Sequence, residues 1–177
     1  SPLFGIDLVH QFDTDVRLLR LLPRLPDPEN IDTSLRNFNE RLARTISEAI
    51  RLAVTHLLML QPGEIRATYR LYGGFGNRLD VILYDNVPGG AGYCVRLGTA
   101  EYSYSRLIEL AITQLDCKDD CESGCRVCLC DYGNQRYWDT FERVAALNWF
   151  KTLQDTHQGV SVAVGFERWD KPSHSGL

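Results

Sequence analysis

No stretch of this sequence is long and apolar enough to cross a membrane. Its apolar runs, such as residues 57–60, fall far short of the ~20 residues a spanning helix needs. No secretory leader is recognisable, so reduced thiols and a cytoplasmic setting are expected. Positive charge is not in excess either: 19 Lys and Arg against 23 Asp and Glu give a formal net charge of -4. That argues against nucleic-acid binding by bulk electrostatics, because such domains are strongly basic. A local basic face is still compatible with it. Arg17, Arg20 and Arg24 form one cluster and Arg36, Arg41, Arg44 and Arg51 another, both read as solvated surface charge. Nucleotide-hydrolysis motifs are missing: there is no Gly-x4-Gly-Lys-Ser/Thr phosphate loop and no Asp-Glu-x-His box. The chain is therefore not expected to hydrolyse ATP or to be an enzyme on its own. His10, His56, His157 and His174 lie on no catalytic motif, and no internal repeat is present.

What is present suits one folded domain. The 177 residues are 44% hydrophobic and 24% charged, and chains of this size typically bury about 70% of their unfolded surface. The chain opens on Ser1 rather than Met, so the expectation is a piece or processed form of a longer protein. Residues 6–12 and 16–22 are apolar segments around the turn-like Asp13-Thr14-Asp15, which predicts a hairpin. Pro23, Pro26 and Pro28 then interrupt regular structure. Asp32, Thr33 and Ser34 offer cap oxygens for a helix. Its Leu35, Phe38, Leu42, Ile46, Ala49, Ile50, Ala53, Leu57 and Leu60 recur at steps of three and four on one core-facing stripe, up to a stop at Pro62-Gly63. Alternation over residues 65–72 and the β-rich residues 79–84 predict two strands joined by a glycine turn.

Residues 85–92 read as a loop. Residues 103–115 read as a helix with Leu107, Ile108, Leu110 and Ala111 inward. A further helix is expected over residues 137–153, with Trp138, Phe141, Val144, Ala145 and Trp149 on one side, then a strand over 159–166. The fold class is α+β (mixed α/β): a small central sheet packed by helices. A single domain over residues 1–170 is expected, with a four-cysteine lobe at 117–136 and a frayed tail at 171–177.

Five of the six cysteines fall in the run Cys117-x3-Cys121-x3-Cys125-x2-Cys128-x-Cys130. Four thiolates are what a tetrahedral structural zinc site takes, and the Cys125-x2-Cys128 pair lets two sulfurs face one ion from a short turn that Gly124 helps. Zinc is the favoured reading. Disulfides fit poorly with a chain lacking a secretory signal. A Cys-x2-Cys redox pair normally starts a helix after a strand. An iron–sulfur cluster also uses four cysteines, and spacing does not separate it from zinc. Cys130 can stand in for Cys117 or Cys128, while Cys94 reads as a buried core thiol. Lys118, Arg126 and Arg136 lie near enough in sequence to soften the net charge of about -2 on a four-thiolate zinc.

Two polar groups flank the cysteines. Asp85 ends a strand, and Gly89, Gly90 and Gly92 allow backbone amides to turn outward. The turn is either a phosphate or DNA cradle or, the preferred reading, a tight packing turn. Asp131, Tyr132, Asn134 and Gln135 follow the last cysteines, and Asp131 and Asn134 are placed to cap a helix and hold the ligand loop from behind.

Leu83-Tyr84-Asp85-Asn86-Val87-Pro88-Gly89-Gly90-Ala91-Gly92-Tyr93, then the cysteines, then Cys128-Leu129-Cys130-Asp131-Tyr132-Gly133-Asn134-Gln135-Arg136, resembles the MrfA-type zinc-binding domain. The resemblance spans residues 6–153. Such domains are found at or near the C-terminus of superfamily 2 DNA helicases and in helicase-partner subunits of anti-phage systems such as DISARM. The resemblance implies one structural zinc on Cys117, Cys121, Cys125 and Cys128. It also implies a helicase motor as partner, DNA as a further candidate partner, no small-molecule substrate, and a role in DNA repair or phage defence. Cys130 departs from the pattern, since relatives often carry Arg or another polar residue there. Two rival functions are a hydrolase or nuclease using Asp85 or Asp131, marked by turnover that Asp85→Ala abolishes, and a pure protein–protein adaptor, marked by partner binding without salt-dependent DNA affinity.

Overall fold

A computed structural model describes residues 12–21, 23–26, 33–73 and 76–156. The expected segments at 6–12 and 159–166 and the tail at 171–177 lie outside or at the edge of the described residues. In chain order the elements are β1 (Val16–Leu21), α1 (Thr33–Leu57), β2 (Ile65–Tyr72), β3 (Arg78–Asp85), the single turn α2 (Tyr93–Arg96), α3 (Tyr104–Leu115), a 3-10 helix (Tyr132–Thr140) and α4 (Arg143–Thr156). The mixed α/β class holds.

The sheet is antiparallel with strand order β1-β3-β2. Side chains alternate across a strand, so directly paired residues share a face. Leu79, Val81 and Leu83 on central β3 are fully buried and pair with Leu21, Leu19 and Arg17 on one side and Leu71, Tyr69 and Ala67 on the other. Helix α1 packs on β2 and β3 and, on its far side, against α3 and α4.

That central position changes one expectation. The α1 residues Leu42, Ile46, Ala49, Ile50 and Ala53 are buried as the stripe predicts, but so are Ala43, Val54, Asn39, Thr45 and Arg51. The helix is wrapped on more than one side. It also ends before Pro62. Met59 takes a left-handed φ of 55°. The Leu60 amide bonds the Thr55 carbonyl at 2.9 Å and the Met59 amide bonds that of His56 at 3.2 Å. This Schellman pairing satisfies the last carbonyls without help from the proline.

The last expected helix divides in two. Residues 132–140 form the 3-10 helix, Phe141 is extended with ψ 143°, and α4 begins at Arg143. The stripe is rephased as a result: Ala146, Trp149, Phe150 and Leu153 are buried, whereas Val144 is 47% exposed. Helix α3 starts one residue after its cap Ser103, and Leu107, Ile108 and Ala111 are buried with Leu110 half-buried against them.

The arginines read as solvated charge also need correction. Arg17 and Arg51 are buried. Arg17 sits in the inner row of β1, and its guanidinium donates to the carbonyls of Cys94 and Val95 at 3.0 Å each, ending α2.

Candidate metal centre

Between α3 and the 3-10 helix the chain has few apolar residues and no regular structure, so something other than core burial must fix it. The sulfurs of Cys117, Cys121, Cys125 and Cys128 all lie within 4.8 Å of one another. Three of the separations are 3.5 Å (Cys117–Cys125), 3.6 Å (Cys121–Cys128) and 3.8 Å (Cys125–Cys128). A tetrahedron with metal–sulfur bonds of about 2.3 Å has edges of about 3.8 Å. The cage therefore fits one zinc ion. The sulfur of Cys130 is not in this group, and all six cysteines are free thiols.

The local backbone supports the cage. The amides of Cys128, Leu129 and Cys130 all donate to the Cys125 carbonyl at 3.1, 3.0 and 2.9 Å, folding the Cys-x2-Cys segment into a tight knuckle. The Val127 amide points at the Cys125 sulfur at 3.4 Å, and the Cys125 amide at the Cys128 sulfur at 3.3 Å. Burial works against the Cys125 thiolate. The Val127 amide and the neighbouring thiols more than offset it, holding this cysteine below its ordinary pKa. Gly124 fits closely here, since a Cβ at that position would lie 3.2 Å from the Phe141 ring.

Asp131 and Asn134 stand behind the knuckle. They form a reciprocal capping box on the 3-10 helix: the Asp131 carboxylate accepts from the Asn134 amide at 3.1 Å, and the Asn134 side chain accepts from the Asp131 amide at 2.9 Å. The Asn134 side-chain amide also donates to the Leu129 carbonyl at 2.8 Å and to Glu48 on α1 at 3.0 Å. The Trp138 indole donates to Asn134 at 2.8 Å. One buried asparagine thus ties the ligand loop, the 3-10 helix and the central helix together.

Arg143 makes a second tie that nothing in the cysteine spacing marks. It is buried at the first turn of α4, donates to the carbonyls of Leu115 (2.8 Å) and Cys121, and pairs with Asp120 at 3.2 Å. It braces the entry to the ligand loop through those two carbonyls. Of the cations expected near the cysteines, Arg126 lies over the Trp138 ring at 5.2 Å, where its charge opposes the upward push of burial on the Cys130 thiol, and Arg136 lies over Tyr137 at 4.7 Å.

The glycine turn lies apart from the sulfurs, at the end of β3. Asp85 is fully buried, and its carboxylate accepts from the amides of Ala91 (2.9 Å), Tyr93 (2.9 Å) and Cys94 (3.0 Å). The Gly92 amide goes to the Asp15 carboxylate at 3.0 Å, that of Gly90 to Val87, and that of Gly89 to Asp13. The amides that could have faced a phosphate are taken by the protein's own oxygens. Cys94 is buried alongside as expected, and burial together with Asp85 pushes its thiol pKa far up.

Both carboxylates considered for catalysis are engaged. Asp85 is surrounded by amides, and Asp131 bonds Arg51 at 2.5 Å as well as Asn134.

Four converging thiolates, with no fifth ligand beside them among the described residues and set in an irregular loop between helices, define a zinc-binding module. The sequence matches in the same region: residues 46–129 match the MrfA Zn-binding domain. The chain is 33% identical over 146 residues to the Druantia protein DruE of Escherichia coli (strain UMEA 4076-1), a match covering 77% of this chain and 8% of that protein. Among solved structures it resembles the DUF1998 helicase MrfA bound to DNA, with a TM-score of 0.50 and 18% identity over 74% of this chain and 16% of that one. At that identity the likeness is one of fold. The chain spans only a small part of either relative. Among the described residues, no helix is long and apolar enough to cross a membrane.

Proposed function

We propose that this chain is the zinc-binding accessory module of a DNA helicase or helicase complex acting in DNA repair or anti-phage defence in the cytoplasm. One zinc is held by Cys117, Cys121, Cys125 and Cys128. The observation that carries the reading is the four-sulfur cage, sized for one tetrahedral ion and lying in the segment that matches the zinc-binding family. When bound, the ion supplies a structural clamp, since four protein thiolates leave no position for water. Asn134 and Arg143 transmit the clamp to α1 and α4. In this reading the lobe at 117–136 and the sheet belong to one domain, and the motor lies in a partner domain or subunit. The Asp85 glycine turn packs the start of α2 against β3; it does not bind a ligand, and the occupied amides favour that role.

Metal content per chain by elemental mass spectrometry tests this on the wild type and on Cys125→Ser. The expected result is about one zinc per chain, lost in the variant together with order in the lobe. Iron in place of zinc, or no metal in a chain that stays fully folded, would sink the reading.

A further inference from the structure

A cleft of about 450 Å³ opens between α1, edge strand β2 and the 3-10 helix, away from the sulfur cage. Its charged lining residues are Arg44, Arg66 and Arg136 against Glu48 alone. Glu48 is itself engaged: it shares the buried Arg51 with Asp131, at 2.8 and 2.5 Å, and accepts from Asn134. A chain of net charge -4 thus gathers three arginines around one concavity.

These arginines are held by rings and backbone, not by acids. Arg44 stacks on Tyr137 with its guanidinium carbon 3.9 Å from the ring centroid, and Arg136 lies over the same ring at 4.7 Å. Arg44 also donates to the Tyr69 hydroxyl at 3.1 Å, and that hydroxyl donates to the Glu40 carboxylate at 2.9 Å. Arg66 lies against Gly133, where a Cβ would come within 2.9 Å of its Nη1. Among the described residues, none of the three makes an ion pair. A stacked guanidinium keeps its N–H edge available, and that edge matches phosphate oxygens.

We propose that this cleft binds the phosphodiester backbone of a single nucleic-acid strand, with Arg44, Arg66 and Arg136 as the phosphate contacts. The inference rests on the helicase-module reading above. A strand is favoured over a protein acid because the three cations share the cleft with Tyr84, a ring with no stacked arginine among the described residues, and strand-binding grooves combine backbone-tracking cations with such rings.

The test is fluorescence anisotropy of a labelled oligothymidylate titrated with the zinc-loaded chain at several salt concentrations, with zinc content read on the same samples. Three phosphate contacts give a slope of log affinity against log salt of about -2. In the double variant Arg66→Gln and Arg136→Gln the slope should fall to about -0.7, with affinity down roughly 20-fold near 0.1 M salt and zinc unchanged. Salt-independent or absent strand binding by zinc-loaded wild type overturns the inference while leaving the zinc reading intact, and so does a double variant that binds as wild type. Displacement of the strand by inorganic phosphate at equal phosphate concentration assigns the cleft to a free anion and overturns it. Equal competition by polyglutamate assigns the cleft to an acidic protein, with the same consequence. Loss of zinc from the wild type is the separate failure of the module reading.

Discussion

The guanidinium of Arg51 on α1 reaches the carboxylate of Asp131, directly after the last cysteine, at 2.5 Å. Arg51 is only 3% exposed, and Glu48 accepts from the same Nη2 at 2.8 Å and from Nε at 2.9 Å. Burial alone would lower the Arg51 pKa, but the two carboxylates more than offset it and raise it. Removing the cation leaves two acids facing each other in a largely dry site. Arg51→Met should cost about 3 kcal/mol, read from urea unfolding midpoints, and should loosen the capping box of the 3-10 helix. A cost below about 0.5 kcal/mol would show that this pair is not what joins α1 to the lobe.

Arg143→Met removes the brace from the carbonyls of Leu115 and Cys121. Groups that orient ligand loops typically tune metal affinity by 10–100-fold. Competition with a colorimetric chelator should show a zinc affinity loss of about that size, with the sheet still folded. Unchanged zinc affinity would confine Arg143 to packing.

Asp80 on β3 pairs in register with Arg20 on β1 and Arg70 on β2, which bond its fully buried carboxylate at 3.2 and 2.6 Å. Burial works to raise its pKa, but the hydrogen bonds from Arg70 and Arg20 more than offset this and hold it below the ordinary value. A folded-state pKa below the unfolded one stabilises above the unfolded value, and that stability fades as pH falls through the folded value. Both arginines are half exposed, so the wild type should exceed Asp80→Asn by about 1 kcal/mol at neutral pH. The gap should hold down to about pH 4 and close below it. Comparing the two proteins at each pH cancels acid release of the metal, which both share. A gap that widens toward acid would contradict the assignment.

Met59 ends α1 in a left-handed conformation that L side chains disfavour by about 1–2 kcal/mol, and its own side chain is 86% exposed. Met59→Gly should therefore stabilise by about 1 kcal/mol, raising the melting temperature by about 2–4 °C. A lower melting temperature would mean that the exposed thioether has a partner.

Gly89 and Gly90 have φ of 85° and 75°, yet a side chain on Gly89 meets nothing while one on Gly90 runs into the Asp15 carboxylate. Gly89→Ala should cost about 1 kcal/mol and Gly90→Ala clearly more, measured by thermal unfolding. Equal costs would show that Asp15 yields easily.

Periodicity carried most of this fold because it reports burial directly. The β2–β3 hairpin, α3 and much of α1 follow from apolar spacing, and Cys117 to Cys128 follow from the chemistry of four thiols close in sequence. The break at Phe141 escaped, because the apolar residues on both sides of it continue a plausible helical phase. So did the burial of Arg17 and Arg51, since a charge is buried only when its partners arrive from distant segments: Cys94 for one, Asp131 for the other. Arg143 was hidden for the same reason. Asn134 was legible, because an Asp-x-x-Asn pair straight after the ligands is a local signal.

The four ligands occupy one short stretch, from Cys117 to Cys128. Closing so short a loop restricts few conformations of the distant chain, so zinc does little to staple the sheet to the helices. Its influence passes outward through Asn134 and Arg143, and the module has two tiers of cooperativity. In amide exchange, chelation of the metal should release protection in the knuckle and the 3-10 helix first, while Leu79 to Leu83 keep the slow exchange of the global fold.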